Sequence, residues 1–344
     1  MQAFNTTYSG RSERTLQVAL FVTSVAWVLA SDVLAGRAAR GLSERFGLDA
    51  ARPLLAALFL LFLLAVGFSI LQSIAKRHSS LREVLGLPKR ATARREWTLG
   101  VAVGWGMAVL AVLPMALGGT LYVHLWTQPR AVWLLLLNLV TVAVAALAEE
   151  VAFRGYPFRR LIEAVGPVAA TIVISLFFGL GHMFNSGATW TSVLVTMLAG
   201  LLLSVAWLRT HGLWMGWGLH FAWNACTGIL FGLPVSGISK FASVVQTRTF
   251  GRLWLTGGDY GPEGAVFTAV VLLIGVAVLV RITSDYAWDY TYKPIVAGGY
   301  ATEVQPPAAH VAMEQQAKPA SANSLVQILP VTPQSRSVGE EPKL

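Results

Sequence analysis

Apolar residues in this chain come in long unbroken runs, not in the alternating or helical stripes of a water-soluble domain. Runs of about twenty such residues cross roughly 30 Å of hydrocarbon as a helix. They occur at 15–36, 53–75, 97–122, 131–148, 166–184, 189–208, 212–233 and 263–281. The pattern predicts an all-α, polytopic transmembrane helical bundle of about eight spans. Composition agrees, since 55% of the residues are hydrophobic and only 12% charged, outside the usual range of a soluble domain. A cleaved secretory signal is the competing reading of the first run, because Arg11 and Arg14 precede it. That run is long for a signal core, begins late and lacks a clean small-residue cleavage site.

The polar stretches divide the chain. Residues 1–148 read as N-terminal transmembrane helices interrupted by the basic loop "KRHSSLREVLGLPKRATARREW", Lys76 to Trp97. Residues 149–233 form a central membrane core, 234–262 a Gly-rich extramembrane loop containing "LTGGDYGPEG", and 263–281 a final span. From about 295 to 344 the chain is rich in Pro, Ser, Gln and Ala, which predicts a disordered tail. No internal repeat of the transporter kind is evident.

The net charge of +9 sits mostly between the apolar runs. It therefore reports orientation and not nucleic-acid binding, since cytoplasmic loops are enriched in Lys and Arg. With the basic loop inside, 18 basic residues fall on the cytoplasmic side and 8 outside, which places both termini in the cytoplasm. The loop also suits an anionic leaflet as a short interfacial helix, or serves simply as a stop-transfer flank. The single cysteine, Cys226, lies in an apolar run and has no intramolecular disulfide partner. Trp97, Trp126, Trp190 and Trp214 fall near span ends, where interfacial anchors belong. His78, His124, His211 and His310 lie in flanks, loops or the tail and are given no role.

Charged groups within a membrane span are costly and are functional candidates by default. "AALAEEVAFRG" holds Glu149, Glu150 and Arg154. On a helix Glu150 and Arg154 are i and i+4, acid first. Glu149 is rotated about 100° away from Glu150, so one carboxylate can hold the arginine while its neighbour faces a cavity. An interface cap at a span end is the plainer alternative. "SLFFGLGHMFN" puts Phe178 and His182 on one helical face, and "GWGLHFAWNACTG" does the same for His220 and Asn224. Taken singly, these are a packed histidine and a helix-joining hydrogen-bond pair. Together they require three successive segments to carry unrelated polar groups.

Depth is informative here. If the helix bearing Glu149 continues to a turn at Val165 and Gly166, Glu149 lies sixteen residues before Val165 and His182 sixteen after Gly166. In an antiparallel hairpin of constant rise the two side chains then stand at equal height. Gly155 and Pro157 would kink the first arm.

The ordered set Glu-Glu-x-x-x-Arg (Glu149, Glu150, Arg154), Phe-x-x-x-His (Phe178, His182) and His-x-x-x-Asn (His220, Asn224) resembles the three-motif signature of the CAAX protease and bacteriocin-processing family, which includes the type II CAAX prenyl endopeptidases. It covers Glu149 to Asn224, about a fifth of the chain. The resemblance implies an intramembrane endopeptidase that acts on membrane-associated or C-terminal peptides without a cofactor. It implies that Glu149 activates water with His182, that His220 and Asn224 stabilise the oxyanion, and that Glu150, Arg154 and Phe178 support them. The bilayer and a peptide or membrane-protein substrate are the implied partners, and nucleic acid is not. A bacterial plasma membrane suits the arginine-rich loops and the absence of an organelle presequence.

Two other readings stay open. Glu149, His182 and His220 are also a ligand set for catalytic zinc, although no His-Glu-x-x-His segment is present. A non-catalytic scaffold or immunity protein could use the same polar groups to bind a partner.

Overall fold

The computed structural model describes residues 3–75 and 79–283; the expected tail at 295–344, with His310, and also His78 lie outside them. In chain order the helices are α1 (Ala3–Phe46), α2 (Arg52–Ile74), the single turn α3 (Leu81–Val84) and α4 (Ala93–Leu117). Strand β1 (Leu121–Leu125) separates α4 from α5 (Pro129–Arg154), which is followed by α6 (Tyr156–Val165), α7 (Pro167–Gly181), α8 (Trp190–Thr210) and α9 (Trp214–Ala225). Strand β2 (Val245–Thr249), the short α10 (Leu253–Thr256) and α11 (Val266–Ile282) complete the described chain.

The protein is a polytopic helical membrane bundle. Each of the eight apolar runs is helical, but they are not equal in length. Glu13–Phe46, Asp49–Ile74, Ala93–Leu117, Pro129–Val165, Pro167–Phe184 and Trp190–Thr210 are long and apolar enough to cross a membrane, whereas Val266–Ile282 is apolar but shorter. The run at 212–233 is shorter too, because α9 ends at Ala225 and passes into a π-helical turn at Cys226–Leu230.

Two boundaries differ from those read in the sequence, and one loop is more structured than expected. The run at 97–122 stops being helical at Leu117, and its end enters β1, which pairs antiparallel with β2 from Leu121↔Thr249 to Leu125↔Val245. The helix bearing Glu149 does not end at 148. It continues to Arg154, breaks at Gly155 and resumes as α6 to Val165. Pro157 falls in the first turn of α6, where its missing N–H costs nothing. Gly166 makes the turn into α7 with φ 85°, a value that favours glycine. The predicted long hairpin therefore forms, in two pieces on its first arm. The segment 234–262 is more than a string of turns, since it contains β2 and α10.

Packing falls into two apolar clusters. Phe68, Tyr156, Phe158, Ile162, Ile174 and Trp207 centre the one joining α1, α2, α6, α7 and α8. Met107, Ala111, Leu202, Leu219 and Leu272 centre the other, which joins α4, α8, α9 and α11. The α4–α9 contact is the closest. A Cβ at Gly100 or Gly104 would overlap the carbonyls of Met215 and Leu219, and one at Gly218 would overlap that of Trp97. Small residues four apart let backbones approach where lipid supplies no hydrophobic drive between helices. That contact fixes α9, which carries two of the candidate residues. Trp97 packs against Trp217 and Phe221, and Trp214 donates to the Pro88 carbonyl. Trp126 and Trp190 are exposed, as interfacial anchors require.

Candidate active site

A cavity of about 410 Å³ opens between the helices. Glu149, Phe178, His182, His220 and Asn224 all line it. Five residues from the three motifs thus meet in one place, and Glu149 and His182 lie on the same cavity as their equal depth predicts.

Helix α5 presents Thr141, Val142, Ala145, Ala148 and Glu149 to the cavity, a single face at helical spacing. Glu150 points elsewhere. Its side chain is fully buried while that of Glu149 is 39% exposed, so the adjacent carboxylates do divide into an enclosed one and an open one. Arg154 Nη1 donates to Glu150 Oε1 at 2.9 Å. The rest of the guanidinium donates to Ser204 Oγ (3.4 Å) and to the Gly200 carbonyl (3.3 Å) on α8, and it lies 4.6 Å over the Phe178 ring. A buried charge without such partners would be prohibitively unfavourable. The interface-cap reading fails here, because both charges are inside the bundle.

Glu150 has a second client. His220 Nδ1–H donates to the same Oε1 at 2.9 Å, which fixes the ring and leaves Nε2 3.7 Å from Glu149 Oε2. A carboxylate behind a histidine sets its tautomer and orientation. His182, at the end of α7, donates from Nδ1 to the Phe178 carbonyl at 2.7 Å, so its Nε2 is the nitrogen left for chemistry. Asn224 stands one turn beyond His220 on α9 and supplies an amide donor at the same cavity.

The motifs did not reveal the other polar walls. Asp32 on α1, Thr196 on α8, and Asn185, Ser236 and Glu263 from the loops also line the cavity. Asp32 had a signal, being the lone carboxylate of the first apolar run. Glu263 had none, since "GPEG" reads as a turn. Segment 234–264 covers one end of the cavity with Val235, Ser236, Ile238 and Phe241. It is braced by Asn138 Nδ2, which donates to the carbonyls of Lys240 and Phe241. Tyr260 of the same segment shares a hydrogen bond with Thr196 at 3.2 Å. Burial, aided by Glu263, pushes the Tyr260 hydroxyl up to about 12, so it is a neutral brace and not an acid–base group. His124 on β1 packs against Trp126, and His211 stacks on Trp207; neither lines the cavity.

Among the described residues no three His, Cys, Asp or Glu side chains converge closely enough to hold a metal ion.

Residues 130–226 match a family model described as Rce1-like, type II CAAX prenyl endopeptidase Rce1-like. The match begins with α5 and ends just after α9, so it takes in every motif residue and leaves Asp32 and Glu263 outside. No curated protein and no solved structure matches the chain.

Proposed function

We propose that this protein, whose residues 130–226 match the family model described as Rce1-like, is a metal-independent intramembrane endopeptidase with Glu149 as its general base. The observation that carries this reading is the convergence of Glu149, His182, His220 and Asn224 on one cavity, with His220 Nε2 3.7 Å from Glu149 Oε2.

In this mechanism a water held between Glu149 and His182 Nε2 gives a proton to Glu149 as its oxygen attacks the scissile carbonyl carbon. The carbonyl oxygen becomes an oxyanion that accepts from the Asn224 amide and from His220 Nε2–H. His220 donates from both ring nitrogens in this arrangement, Nδ1–H to Glu150 and Nε2–H to the oxyanion. Collapse of the tetrahedral intermediate breaks the C–N bond, and Glu149 returns its proton to the leaving amine. General base catalysis of this kind contributes about 10²–10⁴-fold, and each oxyanion donor about 10²–10³-fold. The substrate is a membrane-associated or C-terminal peptide, and the enzyme works in a bacterial plasma membrane with both termini cytoplasmic.

The test is cleavage of a diverse peptide library, prenylated C-terminal peptides included, by the purified protein in lipid nanodiscs with and without a chelator. Products that persist under chelation are expected. No product from any peptide, or activity abolished by the chelator and restored by zinc, overturns the proposal.

A further inference from the structure

Outside the family match, one carboxylate connects both histidine-bearing elements. Glu263 sits on the short turn Pro262–Gly264 that leads into α11. Its Oε1 accepts from Trp223 Nε1–H at 2.6 Å, and Trp223 precedes Asn224 on α9. Its Oε2 accepts from the Ser236 hydroxyl. Ser236 holds a left-handed backbone with φ 47°, rare for a residue that is not glycine, and such geometry persists only where its surroundings enforce it. Its carbonyl accepts from Asn185 Nδ2 at 2.9 Å. The next residue, Gly237, donates its N–H to the Tyr260 carbonyl at 2.8 Å. Asn185 in turn ends the short helical turn His182–Phe184. The path from His182 through Asn185, Ser236 and Glu263 to Trp223 and Asn224 is thus continuous, and every one of these side chains lines the cavity.

We propose that Glu263 is a positioning residue that sets His182 against His220 and Asn224 by tying both of their elements to the segment 234–264. The inference rests on the proposed peptidase reading of the same cavity. An ionised carboxylate only accepts, so it can serve two donors at once, and charge-assisted bonds of this kind are about twice as strong as neutral ones. Truncating it frees Trp223 Nε1 and the Ser236 hydroxyl together and releases the strained turn that reaches the His182 element. Misplacement of reacting groups by about 1 Å costs on the order of 10²-fold in rate.

Glu263→Ala and Glu263→Gln separate bridging from mere presence. The glutamine keeps an oxygen for Trp223, and its amide donates to the Ser236 oxygen. Measured on peptides that the wild type cleaves, Glu263→Ala is expected to lose about 10–100-fold in kcat with KM nearly unchanged. Glu263→Gln is expected to recover most of that loss. Trp223→Phe should lower kcat less than additively with Glu263→Ala, because both cut the same link. Hydrogen–deuterium exchange in nanodiscs provides a readout that needs no turnover. Backbone amides of 182–187 and 234–238 should exchange faster in Glu263→Ala and at wild-type rate in Glu263→Gln. Wild-type exchange in Glu263→Ala refutes the bridge whatever the peptidase assay gives, and so does a Glu263→Gln variant as impaired as the alanine. A wild-type protein that cleaves nothing refutes the peptidase reading instead, and the exchange result still decides the bridge. Should Glu263→Ala fail to fold, Trp223→Phe and Ser236→Ala cut the link one arm at a time, and wild-type exchange and kcat in both would overturn it.

Discussion

Glu150→Gln is the substitution that best separates support from chemistry in this site. The change keeps shape, so the amide oxygen can still accept from Arg154 Nη1 and His220 Nδ1, both 2.9 Å from Glu150 Oε1. What disappears is the negative charge facing a fully buried guanidinium. Removing one partner of a buried ion pair typically costs about 3–5 kcal/mol, because the other charge is left uncompensated. Arg154 keeps its contacts to Ser204 and Gly200, which argues for the lower end, about 3 kcal/mol. The same change replaces the charged acceptor that holds His220 Nδ1 with a neutral one, which is equivalent to weakening one oxyanion donor, about 10²-fold in kcat. The second variant, Glu150→Gln with Arg154→Met, restores stability by deleting the orphaned cation, since replacing both members of a buried pair is often neutral. It does not restore the histidine. The assay is thermal unfolding in nanodiscs paired with single-turnover peptide cleavage per folded molecule. Recovery of activity together with stability in the double variant would show that Glu150 serves Arg154 alone, and the role assigned to it at His220 would be wrong.

Three further outcomes follow from the geometry. Asn224→Ala should lower kcat by about 10²-fold with little effect on unfolding temperature; a loss confined to KM would remove Asn224 from the oxyanion site. Gly104→Val places a side chain against the Leu219 backbone, which cannot yield as a side-chain tip would. It should destabilise the protein by about 1–3 kcal/mol, and an unchanged unfolding temperature would sink the α4–α9 contact as the brace of the site. Among the described residues the cavity is lined by Asp32, Glu149 and Glu263 but by no Lys or Arg. Like charges about 8 Å apart at an effective dielectric constant near 20 repel by about 2 kcal/mol, so peptides with an amidated C terminus should be cut roughly thirtyfold faster than the same peptides as free acids. Equal rates would place the terminus away from these carboxylates.

The motif residues were legible because each membrane helix has few polar groups, and their i, i+4 spacing assigns them to faces. The equal depth of Glu149 and His182 was legible for the same reason, since rise per residue is fixed and Gly166 marks the turn. It was less evident that Glu150 would be the hub. Its attachment to His220 spans 70 positions and has no local signature. The polar walls at Asn185, Ser236 and Glu263 come from segments whose Gly and Pro content reads as turns, and only their return over the cavity gives them a role. The end of α4 misled for a different reason: Leu121 to Leu125 are apolar enough to extend a span, yet their pairing with β2 takes them out of the helix.

The most direct test of the central claim is single-turnover cleavage by Glu149→Gln, in nanodiscs, at a protein concentration confirmed folded by its unfolding transition. The account predicts a loss of at least about a hundredfold in the chemical step with substrate binding retained. Cleavage within twofold of the wild type would remove Glu149 as the base and with it the proposed mechanism.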